Sequence, residues 1–262
     1  MVRYELGKWN LSELVKTPTR SVFDKKLSKI ENSAKNFEKT YKNWLRQNAD
    51  ISSTKFFNLL HSIETISEKS SIVGGYASLC YSENTQSDEA TSLLTRITKF
   101  GSDIENRLLF FDLWWKREID EKNAKRLIKS AGQYSEYLKH KRLLTKYSLS
   151  EPEEKIINTL DVTGASALVK LYDKITNAFV YAVTVNGKKK TMSREQLTTL
   201  VRNKSGKIRE AAYKSLLSKY NANKGVTGEI YQNIVLNLRD EGIGMRGFSS
   251  PITIRNISNN ID

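Results

Sequence analysis

Apolar residues recur every three or four positions through the first half of the chain, which is the period of an amphipathic α-helix. The clearest stretch runs from Phe23 to Leu45, and the positions between its apolar residues are mostly Lys, Asn, Ser and Glu. One face of this segment can therefore pack inward while the other meets water. The pattern predicts a long helix and indicates no chemistry in it.

Two more long helices are predicted after it. One spans about Ser53 to Tyr81 and contains the pair Gly74-Gly75. Each glycine in a helix interior costs about 1 kcal/mol relative to alanine, so we expect a close helix approach or a kink at the pair. The other spans about Ser87 to Ile119. Three long neighbouring helices predict an antiparallel bundle.

The pattern changes near residue 150, where a boundary is predicted. Ser150, Pro152 and Glu153 have the order of an N-cap, a first-turn proline and a capping box, so a helix should begin there. Shorter elements follow, including a helix through Tyr172. We interpret Glu153-Glu154 as carboxylates placed favourably at the helix start.

One β-hairpin is predicted in this second part. Phe179 to Val185 is rich in β-branched and aromatic residues, and Asn186-Gly187 is the strongest two-residue hairpin signal. The returning strand is Lys188 to Met192. The predicted fold class is therefore mainly α, a long antiparallel helical bundle lobe followed by shorter helices and one β-hairpin.

Helices are expected again after the hairpin. A second capping box begins at Ser193, and further helices are predicted over about 206–222 and 226–242. A glycine-rich loop should follow from Gly242 to Gly247. This loop matches G-x-G-x-x-G, but it follows a predicted helix rather than a strand, so we reject it as a dinucleotide site.

The net charge of +14 invites a nucleic-acid or acidic-partner interpretation. Residues 1–150 carry 26 basic and 18 acidic side chains, and residues 151–262 carry 17 and 11, so the excess is spread along the chain. Lys116 to Lys146 holds ten basic against four acidic residues but alternates with apolar ones, as a solvated helix face does. We therefore prefer a solvated surface.

The residues that could carry catalysis are few. Cys80 is the only cysteine, which excludes an intramolecular disulfide and favours an inert packed thiol. His61 and His140 lie 79 positions apart and neither belongs to an H-E-x-x-H motif. No catalytic, cofactor-binding or metal-binding residue is predicted. The chain also lacks a signal-peptide pattern and an apolar run long enough for a membrane span, so we expect a cytoplasmic protein.

Short stretches along the whole chain resemble the amino-terminal half of oligoendopeptidase F-type zinc metallopeptidases. In chain order they are Trp9 to Leu14, Tyr76 to Leu79, Tyr81 to Thr85, Leu149 to Glu154, Thr163-Gly164, Leu171 to Asp173, Arg209 to Tyr213, Arg246 to Phe248 and Asn259 to Asp262. A departure is Leu168, where that family usually has an aromatic residue. Each match is short, but their order and spacing make coincidence improbable.

The resemblance implies a domain organisation and an activity. It implies a helical amino-terminal lobe over 1–115, connecting helices over 116–149, and the first part of a peptidase domain over 150–262, truncated before the zinc-binding motif. Zinc would then be bound in the full-length parent and not by this chain. The implied partners are short peptide substrates, which this chain would bind jointly with the missing carboxy-terminal half. The lobe would form a wall of the cleft that holds them. Alone, the chain should be inactive and prone to self-association through exposed apolar surface.

Two alternatives remain open at this point. The chain could be a stand-alone basic helical module that binds nucleic acid or an acidic partner, although nucleic acid is not among the partners we expect. It could also be a regulatory pseudo-peptidase lobe.

Overall fold

The computed structural model describes residues 10–48 and 50–261, and this part of the chain forms two compact units. The first unit contains the described residues up to Leu160 together with those from Arg246 onward, and the second contains Asp161–Met245. Trp9 and Asp262, which belong to two of the stretches that resemble the family, lie outside the described residues. The predicted boundaries at 115/116 and 149/150 stay predictions.

Three long helices form the bundle of the first unit, as predicted. They are α1 (Arg20–Gln47), α2 (Ser53–Glu83) and α3 (Asp88–Leu113), and each packs against the other two. Each begins where a hydroxyl side chain can cap it, because Thr19, Ser52 and Ser87 accept a hydrogen bond from the backbone N–H three residues on. The mainly α fold class is confirmed.

The bundle core is made by the apolar stripe that the sequence marks. Phe37 of α1 meets Phe110 and Phe111 of α3, with ring centroids 5.7 and 6.2 Å apart. Phe56 of α2 lies 5.1 Å from Trp115, whose indole N–H donates to the Leu138 carbonyl at 3.0 Å. These large rings bury most of their surface, which supplies much of the stabilisation of such a core.

The structure differs from the sequence expectation at two places in the bundle. No close approach explains Gly74 and Gly75, because a Cβ on either would meet no atom within 4 Å, and α2 runs through both without a break. The predicted third helix ends in a π-helical turn, Trp114–Glu118, rather than in regular α-helix.

Short helices complete the first unit. They are α4 (Glu121–Lys129), α5 (Ser135–Leu143), α6 (Glu151–Asp161) and, after the second unit, α11 (Pro251–Ser258). The predicted start of α6 is confirmed. The Glu153 carboxylate accepts from both the backbone N–H and the hydroxyl of Ser150, at 2.8 and 2.5 Å.

The second unit is built from four helices and the predicted hairpin. The helices are α7 (Ala165–Asn177), α8 (Arg194–Thr199), α9 (Gly206–Ala222) and α10 (Lys224–Arg239). The capping box at Ser193 is confirmed, with both of its hydrogen bonds to Gln196 present. The prediction of a loop over Gly242 to Gly247 is wrong for most of that range, because Asp240–Met245 forms a π-helical turn that continues α10.

The hairpin consists of β1 (Tyr181–Val185) and β2 (Lys188–Met192), paired antiparallel with Val185 opposite Lys188. Its two turn residues, Asn186 and Gly187, have φ values of 50° and 75°, as a two-residue turn with left-handed central residues requires. Tyr181 and Val183 point into a small core with Phe179, Leu197 and Ala212. Within the described residues, no helix combines the length and apolar character needed to cross a bilayer.

Candidate functional site

A buried ion pair joins α6 to the segment that begins at Arg246. Both guanidinium nitrogens of Arg246 donate to the two carboxylate oxygens of Glu154, at 2.8 and 2.9 Å. The same carboxylate accepts from the Leu149 backbone N–H at 2.9 Å, and Glu154 is only 8% exposed. This bidentate geometry fixes distance and orientation together, which an ammonium group could not do.

The pKa of Glu154 reflects these partners. Burial raises the pKa, while the Arg246 guanidinium and the Leu149 amide lower it, and the net result is a pKa below the ordinary value. The carboxylate is therefore ionised at neutral pH. The sequence interpretation of Glu153-Glu154 as a pair explained by the helix dipole is incomplete, since Glu154 turns inward to meet Arg246.

The two residues after Arg246 continue the attachment. Gly247 has a φ of 73°, a conformation that glycine adopts without the steric penalty of a side chain. Phe248 stacks on Tyr147, with ring centroids 3.7 Å apart and planes 11° from parallel. The three residues Arg246 to Phe248 thus form one attachment point for α11, which we call the Arg-Gly-Phe clamp.

A third matched stretch lies in the same unit. The Nδ1 atom of His140 on α5 lies 3.1 Å from the side-chain oxygen of Asn260, which follows α11. Three stretches that resemble the family, around residues 149–154, 246–248 and 259–261, are therefore held by contacts inside the first unit.

Among the described residues, large apolar side chains are exposed in one part of the chain. Between residues 10 and 136, every large apolar residue that the structure describes is buried or half-buried. From residue 137 onward many are exposed, each by more than two fifths of its surface. They are Tyr137, Leu143, Ile156, Leu160, Val169, Leu171, Val180, Val201, Tyr213, Leu217, Val226, Tyr231, Val235, Leu236, Leu238, Met245, Ile252 and Ile261. Where such residues adjoin one another, they form the kind of apolar surface that binds another protein.

The candidate catalytic side chains do not converge. His61 lies on α2, where its Nδ1 is 3.2 Å from Glu64, while His140 faces Asn260. Cys80 is half-buried in α2. No group of three or more His, Cys, Asp or Glu side chains lies together among residues 10–48 and 50–261, so the described residues do not fit a zinc site.

Two stretches of the chain are rich in basic residues. Six of the ten in Lys116 to Lys146 form ion pairs, as where Lys116 and Lys141 both contact Asp112. The stretch from Lys188 to Lys224 is more strongly basic, with eleven Lys and Arg against Glu195 and Glu210. The largest local excess of positive charge therefore lies in the second unit, not where the sequence pattern drew attention to it.

Comparisons with known proteins point to a single fold. Residues 117–181 match the family model described as Oligopeptidase F. The crystal structure of oligoendopeptidase-F from Enterococcus faecium superposes on 93% of this chain with a TM-score of 0.74 at 17% identity. A proposed peptidase from Chlamydophila abortus superposes on 97% of it with a TM-score of 0.55 at 15% identity.

Those two matches cover 48% and 42% of the solved chains, so this chain spans about half the length of the structures it resembles. No curated protein sequence matches it. The resemblance to the oligoendopeptidase F type is confirmed by the family model over residues 117–181 and by the fold over almost the whole chain. This chain therefore has the fold of the amino-terminal portion of an oligoendopeptidase F.

Proposed function

We propose that this chain is the amino-terminal part of a zinc-dependent oligoendopeptidase that hydrolyses peptide bonds in short peptides, and that its helical lobe walls the substrate cleft. The fold and the family model support the peptidase class. The observation that carries the proposal further is the distribution of exposed apolar residues, which begins at Tyr137 and continues to Ile261. For those of the first unit, such as Ile156 and Ile252, the partner surface we propose is the carboxy-terminal half of the peptidase.

The proposal assigns the chemistry to that half. Zinc polarises a peptide carbonyl and activates water when it is bound. The described residues of this chain do not provide its ligands. Their role in the proposal is to fold stably, to bind the catalytic half, and to restrict access to it.

Ile156 and Ile252 are suitable probes of the interface because they lie on α6 and α11 of the first unit. They are 58% and 64% exposed, so their replacement should leave the bundle intact. Burial of an isoleucine side chain contributes about 1.5–3 kcal/mol, which corresponds to a change of about tenfold to a hundredfold in affinity. Lys39, an exposed residue of α1 in the bundle, gives a matched control.

The test combines the chain with a carboxy-terminal peptidase segment that carries an H-E-x-x-H motif, in the presence of zinc. Hydrolysis of an internally quenched peptide should be absent with either part alone and present with both. Ile156→Gln and Ile252→Gln should each weaken association at least tenfold, and Lys39→Gln should not change it. If no complex forms in sedimentation, or if the chain alone binds zinc one to one and cleaves the peptide, the proposal is wrong.

Nucleic-acid binding is not favoured by the structure of the stretch that suggested it. Phosphate binding needs cations that are free to release their counterions. In Lys116 to Lys146, the cations of Lys116, Lys141 and Arg142 are already held by Asp112 and Glu121.

A further inference from the structure

The second unit contains an open groove between α7, α9 and α10. Its volume is about 930 Å³, which lies within the range of sites that bind small ligands. Tyr172, Leu217, Tyr220, Ile230, Tyr231 and Ile234 give it mostly apolar and aromatic walls. The groove is thus suited to a ligand with bulky apolar groups.

The charge of the groove has one sign. Of the residues that the structure describes, Lys224 is the only charged one that lines the groove, and no carboxylate lines it. Arg194 interacts with Tyr220, which raises the pKa of Arg194, but its guanidinium is also paired with Glu195 at 3.3 Å and does not line the groove. Lys224 is therefore the cation that an occupant would meet. Asp173 acts on Tyr172 electrostatically, but it does not line the groove. An occupant with a negative charge close to apolar groups would complement these residues.

Tyr172 provides the groove with a phenol that is neutral at physiological pH. Burial raises the pKa of Tyr172, and the hydrogen bond with Tyr220 raises it further. Neutral phenols next to an ammonium group can hydrogen-bond a carboxylate without repelling it. Together with Asn221 and Thr227 they provide polar contacts at the walls.

Gly228 widens the groove. It lies in the interior of α10 and lines the groove, yet a Cβ at this position would meet no atom within 4 Å. No close packing therefore requires a glycine here, although glycine weakens a helix by about 1 kcal/mol relative to alanine. A side chain at residue 228 would extend into the open space without distorting the fold.

We propose that this groove binds the carboxyl-terminal end of a short apolar peptide, with the peptide carboxylate paired to Lys224 and its side chains against the tyrosines. This rests on the proposed function in one respect, since short peptides are the substrates proposed for the parent peptidase. The excess of positive charge over Lys188 to Lys224 would attract such a ligand at low salt. Binding at this groove requires no catalytic residue and can be measured on the chain itself.

The experiment measures fluorescence anisotropy of the tripeptide Phe-Leu-Leu labelled at its amino end, as a free acid and as a carboxamide. The free acid should bind at least fivefold more tightly. Lys224→Met should remove that preference, because it removes the cation and retains much of the apolar stem. Gly228→Leu should weaken binding of both peptides at least tenfold while the melting temperature stays equal or rises.

Gly225→Leu is the matched control. Gly225 lies on the same helix with open space around it, but it does not line the groove. This variant should bind as the unmodified chain does. Equal binding of acid and carboxamide by the unmodified chain, or normal binding by Gly228→Leu, would overturn the proposal.

The outcome is separable from that of the proposed function. If neither peptide binds at millimolar concentration but Gly228→Leu impairs assembly with the carboxy-terminal half, the groove holds that half and the peptide proposal is overturned alone. If the peptide binds as expected, the groove proposal is supported even where assembly restores no hydrolysis, and the proposed function then fails by itself.

Discussion

Replacement of Arg246 by methionine tests whether the buried ion pair stabilises the first unit. Arg246→Met keeps an extended side chain but leaves the Glu154 carboxylate, which is 8% exposed, with the Leu149 N–H at 2.9 Å as its remaining hydrogen-bond donor in the described part of the chain. Removal of one partner from a buried pair costs about 3–5 kcal/mol. The side chains of Arg246 and Glu154 keep 18% and 11% of their exposure, so we expect the lower end, about 3 kcal/mol.

Urea unfolding followed by tryptophan fluorescence provides the measurement, because Trp44, Trp114 and Trp115 lie in the first unit and report on it. With a slope of about 2 kcal/mol per molar urea, the midpoint should fall by about 1.5 M. The double variant Glu154→Gln, Arg246→Met should lose less than Arg246→Met alone, because it buries no unpaired charge and keeps an acceptor for Leu149. Lys35→Met, which breaks the exposed pair with Glu31, should change stability by less than about 0.5 kcal/mol.

The ion pair also predicts a pH dependence. Burial raises the pKa of Glu154 but Arg246 and Leu149 lower it more, so its pKa in the folded state lies below 4.5. Its contribution is therefore complete above the unfolded-state pKa and is lost as the pH falls from there through the folded-state pKa. Arg246→Met should flatten this acid loss. A midpoint shift below about 0.3 M at neutral pH, or a double variant no more stable than Arg246→Met, would refute the reasoning.

Two further predictions concern single side chains. Gly74→Ala and Gly75→Ala should each raise the free energy of unfolding by about 1 kcal/mol, because α2 is continuous there and a Cβ meets no atom within 4 Å. A lower melting temperature of either variant would show that the glycine is needed. Tyr181→Phe should be neutral or stabilising in thermal melts followed by circular dichroism. No hydrogen-bond partner lies within 3.5 Å of the buried Tyr181 hydroxyl among the described residues, and Tyr220 acts on it only from beyond that distance. A loss above about 1 kcal/mol would indicate that Tyr181 is bonded, with Tyr220 the candidate partner.

The long helices and the hairpin could be predicted because their signals are local. Phe23, Leu27 and Ile30 repeat at the helical period and are buried in α1. Asn186-Gly187 encodes its turn through the left-handed conformations that these two residues tolerate. Neither inference needs knowledge of a distant residue.

The features that escaped prediction depend on distant contacts. Glu154 and Arg246 are 92 positions apart, and nothing in the periodicity of either segment indicates which buried charges pair. The groove likewise depends on side chains from three helices, and Gly228 reads in the sequence as an ordinary weak helix position. The part of the π-helical turn from Gly242 to Met245 is predicted as a loop because its glycines suggest one.

The stretches that carry the family resemblance gain weight from the way in which they meet. Leu149 to Glu154 and Arg246 to Phe248 match separately in the sequence, yet Leu149, Glu154 and Arg246 share one hydrogen-bonded carboxylate. Unrelated short matches would have no reason to contact each other. Because Gly247 and Phe248 follow at once, the clamp also sets the direction of α11, which carries the exposed Ile252. Loss of the ion pair between Glu154 and Arg246 should therefore lower the stability of the first unit and also weaken its association with the carboxy-terminal half. The stability measurement on Arg246→Met thus also bears on the proposed function.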